Sequence, residues 1–80
     1  MKKEEYLMID HTINLDIANL PKLLQNTIRE MEEYEKKGEW IMYDGLYEGL
    51  ESFAKSALLE NRISGTQYDL ILKKYGGSWL

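Results

Sequence analysis

The 80-residue sequence predicts a small, mainly α domain: three helices preceded by an extended or partly stranded N-terminal arm. Two patterns predict it, because apolar residues recur at helical spacing in three segments, and glycine, proline and asparagine separate those segments. The hydrophobic fraction of 44% is too high for a disordered chain, and the length suits one domain. We therefore expect 1–80 to be a single domain with five parts. They are the arm at 1–18, helices at 19–37, 39–60 and 64–75, and a tail at 76–80.

The arm has two apolar features. A run from Tyr6 to Ile9 fits a strand or one helical turn, and the alternation of Ile13, Leu15 and Ile17 with polar residues indicates an extended segment. An isolated strand is not stable, so the arm either packs as extended chain on the helices or pairs with a second copy. The choice between strand, helix and loop for residues 5–17 stays open.

The first helix is predicted to begin after Asn19 as N-cap, with Pro21 in its first turn and Gly38 as its stop. Its apolar face is expected to comprise Leu20, Leu23, Leu24, Thr27, Ile28, Met31 and Tyr34.

The second helix is predicted to be the central element, because only one narrow side of it is charged. Its core arc is expected to comprise Tyr43, Leu46, Tyr47, Leu50, Phe53, Ala54, Ala57 and Leu58. We predict that Tyr47, Leu50, Phe53 and Ala54 form the centre of the core.

The face opposite this arc is the candidate binding site. Gly45 and Gly49 lie inside the helix, where each glycine costs about 1 kcal/mol relative to alanine. Close approach by another backbone would offset that cost, either from the first helix or arm of the same chain or from a second copy. Trp40 is a large anchor at one end. The candidate interface comprises Trp40, Ile41, Met42, Gly45, Gly49, Ser52, Ser56 and Leu59.

The third helix carries a capping box, in which Ser64 and Gln67 satisfy each other's backbone N–H groups. Its inward face is expected to comprise Tyr68, Ile71, Leu72 and Tyr75, and Trp79 is an apolar anchor in the tail.

The cellular compartment is predicted from two absences in the sequence. There is no cysteine, whereas secreted domains of this size usually need disulfides. The apolar run at Tyr6–Ile9 is too short for a signal peptide or a membrane span. We therefore expect a cytoplasmic protein without a membrane partner.

Catalytic motifs are missing from the sequence. His11 is the only histidine, and no zinc-protease, phosphate-loop or nucleophile-elbow spacing occurs. We expect no enzyme activity, no catalytic or metal-ligating residue and no cofactor.

The leading functional interpretation is a non-enzymatic binding or regulatory module that acts through protein–protein contacts, with an unidentified partner or as a homodimer. An alternative is a DNA-associated regulator that uses residues 50–75 as a helix-turn-helix. Its groove-facing residues would be Gly65, Thr66, Gln67, Asp69, Leu70, Lys73 and Lys74. The net charge of −4 and the absence of arginine from this helix argue against nucleic acid as a partner.

A third interpretation follows from residues 30–54, which hold eight acidic residues and two lysines. Such a segment is usually a solvated helix face, but it also fits an inhibitor that mimics nucleic acid. The residues concerned would be Glu30, Glu32, Glu33, Glu35, Asp44, Glu48 and Glu51.

Residues 15–76 resemble short uncharacterised helical proteins of bacterial genomes and mobile elements. The residues that carry the resemblance are Asn19-Leu20-Pro21, Gly38-Glu39-Trp40, Tyr43-Asp44, Lys55, Ile63-Ser64 and Lys74-Tyr75-Gly76. The resemblance implies a bacterial or phage accessory protein and supplies no catalytic residues.

Overall fold

The computed structural model describes residues 6–79, with side chains for 8–77, and it confirms the mainly α fold of three helices. Residues 1–5, Leu80 and the side chain of the predicted anchor Trp79 lie outside the described part. The elements are β1 (Tyr6–Leu7), a 3-10 turn (Ile17–Asn19), α1 (Lys22–Lys37), α2 (Trp40–Leu59), α3 (Gly65–Tyr75) and β2 (Ser78–Trp79).

Helix α2 lies at the centre, because it packs along α1 on one side and against α3 on another. The buried core draws on the arm, all three helices and the turn before α3. Its apolar members are Ile9, Leu20, Leu24, Ile28, Met31, Tyr43, Leu50, Ala54, Ala57, Ile63, Ile71 and Tyr75.

The start of α1 differs from the prediction. Asn19 ends the 3-10 turn, where its side-chain amide donates to the Asp16 carboxylate, and Pro21 occupies the N-cap position of a helix that begins at Lys22. The proline explains the shift, because its ring disfavours a helical conformation in the preceding residue. Leu20 is accordingly extended, with φ −88° and ψ 157°.

The end of α1 agrees with the prediction. Gly38 is left-handed at φ 71°, and its N–H donates to the Glu35 carbonyl at 3.1 Å. A side chain at that φ would be strained, so glycine suits this helix stop.

Of the conformations left open for residues 5–17, the structure has irregular chain without a strand at Ile13 and Leu15, and Ile17 begins the 3-10 turn. These three side chains are nevertheless half-buried and their polar neighbours exposed, which preserves the alternation without a ladder. The short strand β1 pairs antiparallel with β2 of the same chain, with Tyr6 opposite Trp79. The arm therefore closes on its own tail, and the described ladder needs no second copy.

The arm is held by backbone groups at the end of α3. The Asp10 N–H donates to the Lys74 carbonyl at 2.8 Å, and the Tyr43 hydroxyl lies 2.8 Å from the carbonyl oxygens of both Met8 and Tyr75. The Lys74 ammonium donates to the carbonyl oxygens of Asp10 at 3.2 Å and Ile13 at 2.7 Å. Lys74 is therefore buried as the link between the arm and α3.

The predicted capping box is present at the start of α3. The Ser64 hydroxyl accepts the Gln67 N–H at 3.0 Å, and the Gln67 side-chain oxygen accepts the Ser64 N–H at 2.7 Å. Before it, Asn61 adopts a left-handed φ of 63°, just after the end of α2 at Leu59.

Two residues predicted for the core are exposed instead. Leu23 is 54% exposed and Phe53 38% exposed, so Phe53 is not at the core centre, whereas Leu50 and Ala54 are fully buried and Tyr47 half-buried. Both lie at the margin of their helix's apolar arc, about 70–90° from its middle at 100° per residue. No other element covers that margin.

Candidate functional site

The candidate site is the outer face of α2, which we define by the eight residues of the predicted interface. Seven of these residues are exposed, and Gly49 is half-buried. At 100° per residue, seven of these residues lie about 90–170° around α2 from the middle of the buried residues Tyr43 and Leu50, whereas Trp40, at the start of the helix, lies about 70° from it. From Ile41 to Leu59 it is about 27 Å long, at 1.5 Å per residue.

Within residues 6–79, no other helix or arm residue lies close to the two glycines of this face. A Cβ added at Gly45 would meet no atom within 4 Å, and one added at Gly49 would meet only the Phe53 ring at 3.9 Å. The interpretation that α1 or the arm approaches these glycines is therefore wrong for α1 and for the described part of the arm, residues 6–18. The cost in helix propensity stands without an offsetting contact inside the monomer.

Large apolar side chains stand at both ends of the face. At the start of α2, Trp40 is 56%, Ile41 69% and Met42 50% exposed, and with Gly38 they line a shallow depression of about 440 Å³. At the other end, Leu59 is 73% exposed. Exposed apolar side chains this large on one helix make this face the candidate interaction surface.

A second, smaller cleft lies between α1 and α2, beside the face. Ser56 contributes to it from the candidate interface, and the exposed side chains of Leu23 and Phe53 form its walls. Its volume is about 240 Å³. At its rim Arg62 pairs with Glu60, with Nε and Oε1 3.4 Å apart. Sequence reasoning missed the contribution of Leu23 and Phe53, although their marginal position on each apolar arc was a signal.

A charged strip of Asp44, Glu48, Glu51 and Lys55 runs along α2 between Trp40 and the rest of the outer face. Asp44, Glu48 and Lys55 are exposed there, with the two acids towards the start of α2 and the lysine towards its end. The strip is therefore negative towards the start of α2 and positive towards its end.

The residues proposed to read DNA are largely engaged in the fold. The Gln67 side chain is part of the capping box, Lys73 pairs with Asp69 at 3.1 Å, and Lys74 is buried against the arm. Since phosphate and base contacts need free donors at the surface, these contacts disfavour the helix-turn-helix alternative.

The acidic residues proposed for nucleic-acid mimicry do not form one surface. Glu32 and Glu35 are half-buried on the side of α1 that faces Tyr75, and Glu35 binds His11. Glu30 and Glu33 line a depression on the outer side of α1 together with Arg29, and the remaining acids belong to α2. A phosphate backbone is a continuous track of charge, which this scattered arrangement does not copy.

His11 is exposed and makes a structural contact. Its Nε2 lies 3.0 Å from Oε2 of Glu35, which ties the turn after Ile9 to α1. Within residues 6–79, no group of three or more histidine, cysteine or carboxylate side chains converges as a metal site. No described helix combines the length and the apolar composition needed to cross a bilayer.

Comparison with known proteins adds no assignment. Neither the scan against protein-family models nor the searches of curated proteins and solved structures found a match to this chain. The class that the fold and the candidate site define is a small three-helix domain with an exposed apolar helix face.

Proposed function

We propose that this chain is a non-enzymatic binding or regulatory module that acts through protein–protein contact at the outer face of α2. One observation carries the proposal: Trp40, Ile41, Met42 and Leu59 keep half or more of their surface exposed on one helix. Tryptophan is among the residues that contribute most to binding energy at protein interfaces, and a patch of exposed apolar side chains is typical of an interaction site.

The remaining parts of the proposal follow from composition. A chain without cysteine and with a net charge of −4 suits the cytoplasm and a protein partner better than nucleic acid. No cofactor is needed for such a role. The bacterial or mobile-element origin implied by the sequence resemblance stays a prediction.

Site-specific photocrosslinking in living cells tests the proposal. A benzoylphenylalanine placed at Ile41 or Leu59 is expected to form a covalent product with a protein, because both positions lie on the outer face. The same group at Lys36 or Lys73 is the matched control, since those side chains are 73% and 65% exposed and lie elsewhere on the molecule.

The identity of the product is read by mass spectrometry. Crosslinks at the two face positions and none at the controls support the proposal. Equal crosslinking at all four positions, or none at any, overturns it.

A further inference from the structure

The outer face of α2 is long, with large apolar side chains at its ends and small residues at its middle. Together these features favour one binding partner. Resting on the proposed function, we propose that this face binds a second copy of the chain, with the two α2 helices antiparallel about a two-fold axis near Leu50 and Glu51. The pairing is derived from area, from size complementarity and from charge.

The available area matches that of a dimer interface. The six large apolar side chains left exposed on and beside the face present on the order of 700 Å² together. A standard protein interface buries about 800 Å² on each partner. These six side chains are Leu23, Trp40, Ile41, Met42, Phe53 and Leu59.

Antiparallel pairing places small residues opposite small residues. With the axis near Leu50 and Glu51, Gly45 of one copy faces Ser56 of the second, and Gly49 faces Ser52. The apolar ends meet in the same register, because Met42 faces Leu59 of the second copy. Small residues at the centre let the helix axes approach closely, which offsets the propensity cost that the glycines carry in the monomer.

The charged strip provides complementarity in this orientation alone. A two-fold axis perpendicular to antiparallel helices keeps each flank next to the same flank of the second copy. Lys55 then lies within about one helical turn of Asp44 and Glu48 of the second copy, and the contact occurs twice. In a parallel pair, the strip of each copy would lie next to the opposite flank of the second copy, so Lys55 would lie away from Asp44 and Glu48 of that copy.

Charge reversal with purified protein tests the inference. Sedimentation equilibrium of the wild type over a concentration series is expected to show a dimer. Lys55→Glu alone, and Asp44→Lys with Glu48→Lys in one chain, should each weaken dimerisation about tenfold or more, because each places like charges in contact. An equimolar mixture of the two variants should restore a dimer, since every contact in the mixed pair joins opposite charges.

Two controls separate the specific contact from net charge and from unfolding. Lys22→Glu changes the net charge as Lys55→Glu does, at an exposed position at the start of α1, and it should leave the dimer intact. Circular dichroism of each variant is expected to retain the wild-type helix content, because the substituted side chains are exposed.

The results that would contradict the dimer differ from those that would contradict the proposed function. A wild type that stays monomeric up to about 1 mM, or a mixture that does not restore the dimer, overturns the second copy as occupant. Equal weakening by Lys22→Glu and Lys55→Glu overturns it as well. If crosslinks at Ile41 and Leu59 then join a different protein, the proposed function holds and this inference fails.

Discussion

Lys74 and Tyr75 are adjacent in the sequence and both buried, yet their polar atoms lie in opposite environments. The Lys74 ammonium donates to two carbonyl oxygens of the arm, whereas the Tyr75 hydroxyl is buried without a hydrogen-bond partner among the described residues. A satisfied buried polar group supports the fold and an unsatisfied one weakens it. Removing the polar atom should therefore lower the stability of the fold at Lys74 and leave it unchanged or raise it at Tyr75.

Lys74→Met should destabilise the fold by about 1–3 kcal/mol, because the apolar stem is kept while the Asp10 and Ile13 carbonyls lose their donor. Urea unfolding measures this change. Lys73→Met is the matched control: its ion pair with Asp69 is exposed and worth less than about 1 kcal/mol. Equal effects of the two substitutions would contradict a structural role for Lys74.

Tyr75→Phe should leave the protein at pH 7 as stable as the wild type or more stable, by about 1 kcal/mol, because it removes an unsatisfied buried hydroxyl. The substitution should also change how the stability of the fold depends on pH in the alkaline range. Burial, with Glu32 and Glu35 adding to it, raises the pKa of the Tyr75 hydroxyl well above its ordinary value of 10.0.

The sign of the pH effect follows from that shift. Below pH 10 the hydroxyl is protonated in both the folded and the unfolded chain, so the stability is fully present. Above pH 10 only the unfolded chain releases the proton, and stability falls as the pH rises. Urea unfolding between pH 9 and 11, about one unit on either side, should show a smaller loss for Tyr75→Phe than for the wild type. An identical loss would show that Tyr75 does not titrate differently on folding.

Each helix owes its position to local signals and its stability to burial. The capping box of α3 and the left-handed Gly38 after α1 are local, because each contact joins residues a few positions apart. The burial of α2 is not local, since Leu50 is covered by side chains from other elements.

Leu50→Ala should cost about 2–5 kcal/mol, because it opens a cavity at a fully buried position. Phe53→Ala should cost only about 1 kcal/mol, since its ring is partly exposed at the cleft between α1 and α2. Thermal and urea unfolding, at a protein concentration that fixes the oligomeric state, compare the two. Equal losses would mean that Phe53 belongs to the core after all.

Ser64→Ala should destabilise α3 by about 1 kcal/mol, because the Gln67 N–H loses its acceptor. Ser64→Asp should retain most of the stability, since a carboxylate also caps a helix and suits its dipole. Thr66→Ala, at an exposed position in the same turn, is the control and should change little. The measurement is urea unfolding, and a neutral Ser64→Ala would contradict the role of the cap.

The whole molecule carries a net charge of −4, and the basic residues of α3 are paired or buried. We expect no saturable, sequence-dependent binding to duplex DNA at physiological salt below about 1 µM protein. Fluorescence anisotropy with labelled duplexes measures it. Tight binding that disappeared in Gln67→Ala would instead establish the helix-turn-helix alternative.

Two helices hold the arm in place, because Tyr43 of α2 and Lys74 of α3 each donate a hydrogen bond to a backbone carbonyl oxygen of the arm. Its pattern of alternating apolar residues was recognisable in the sequence and was interpreted as an extended segment. The choice between strand, helix and loop stayed open there, and the structure has irregular chain and a 3-10 turn in which these apolar side chains are half-buried. Alternating apolar and polar residues indicate which side chains are buried. They do not by themselves specify a strand, because a turn and irregular chain can also bury every second residue.

The sequence alone settled the number of helices, the ends marked by Gly38 and Ser64, and the burial of Leu50. It did so because caps act within a few residues and helical spacing reports one buried face. The exposure of Leu23 and Phe53, the burial of Lys74 and the open surroundings of Gly45 depended on tertiary structure. The margins of a helix are buried or exposed according to which neighbours lie beside them, and no local pattern encodes where α1, α3 and the arm pack around α2.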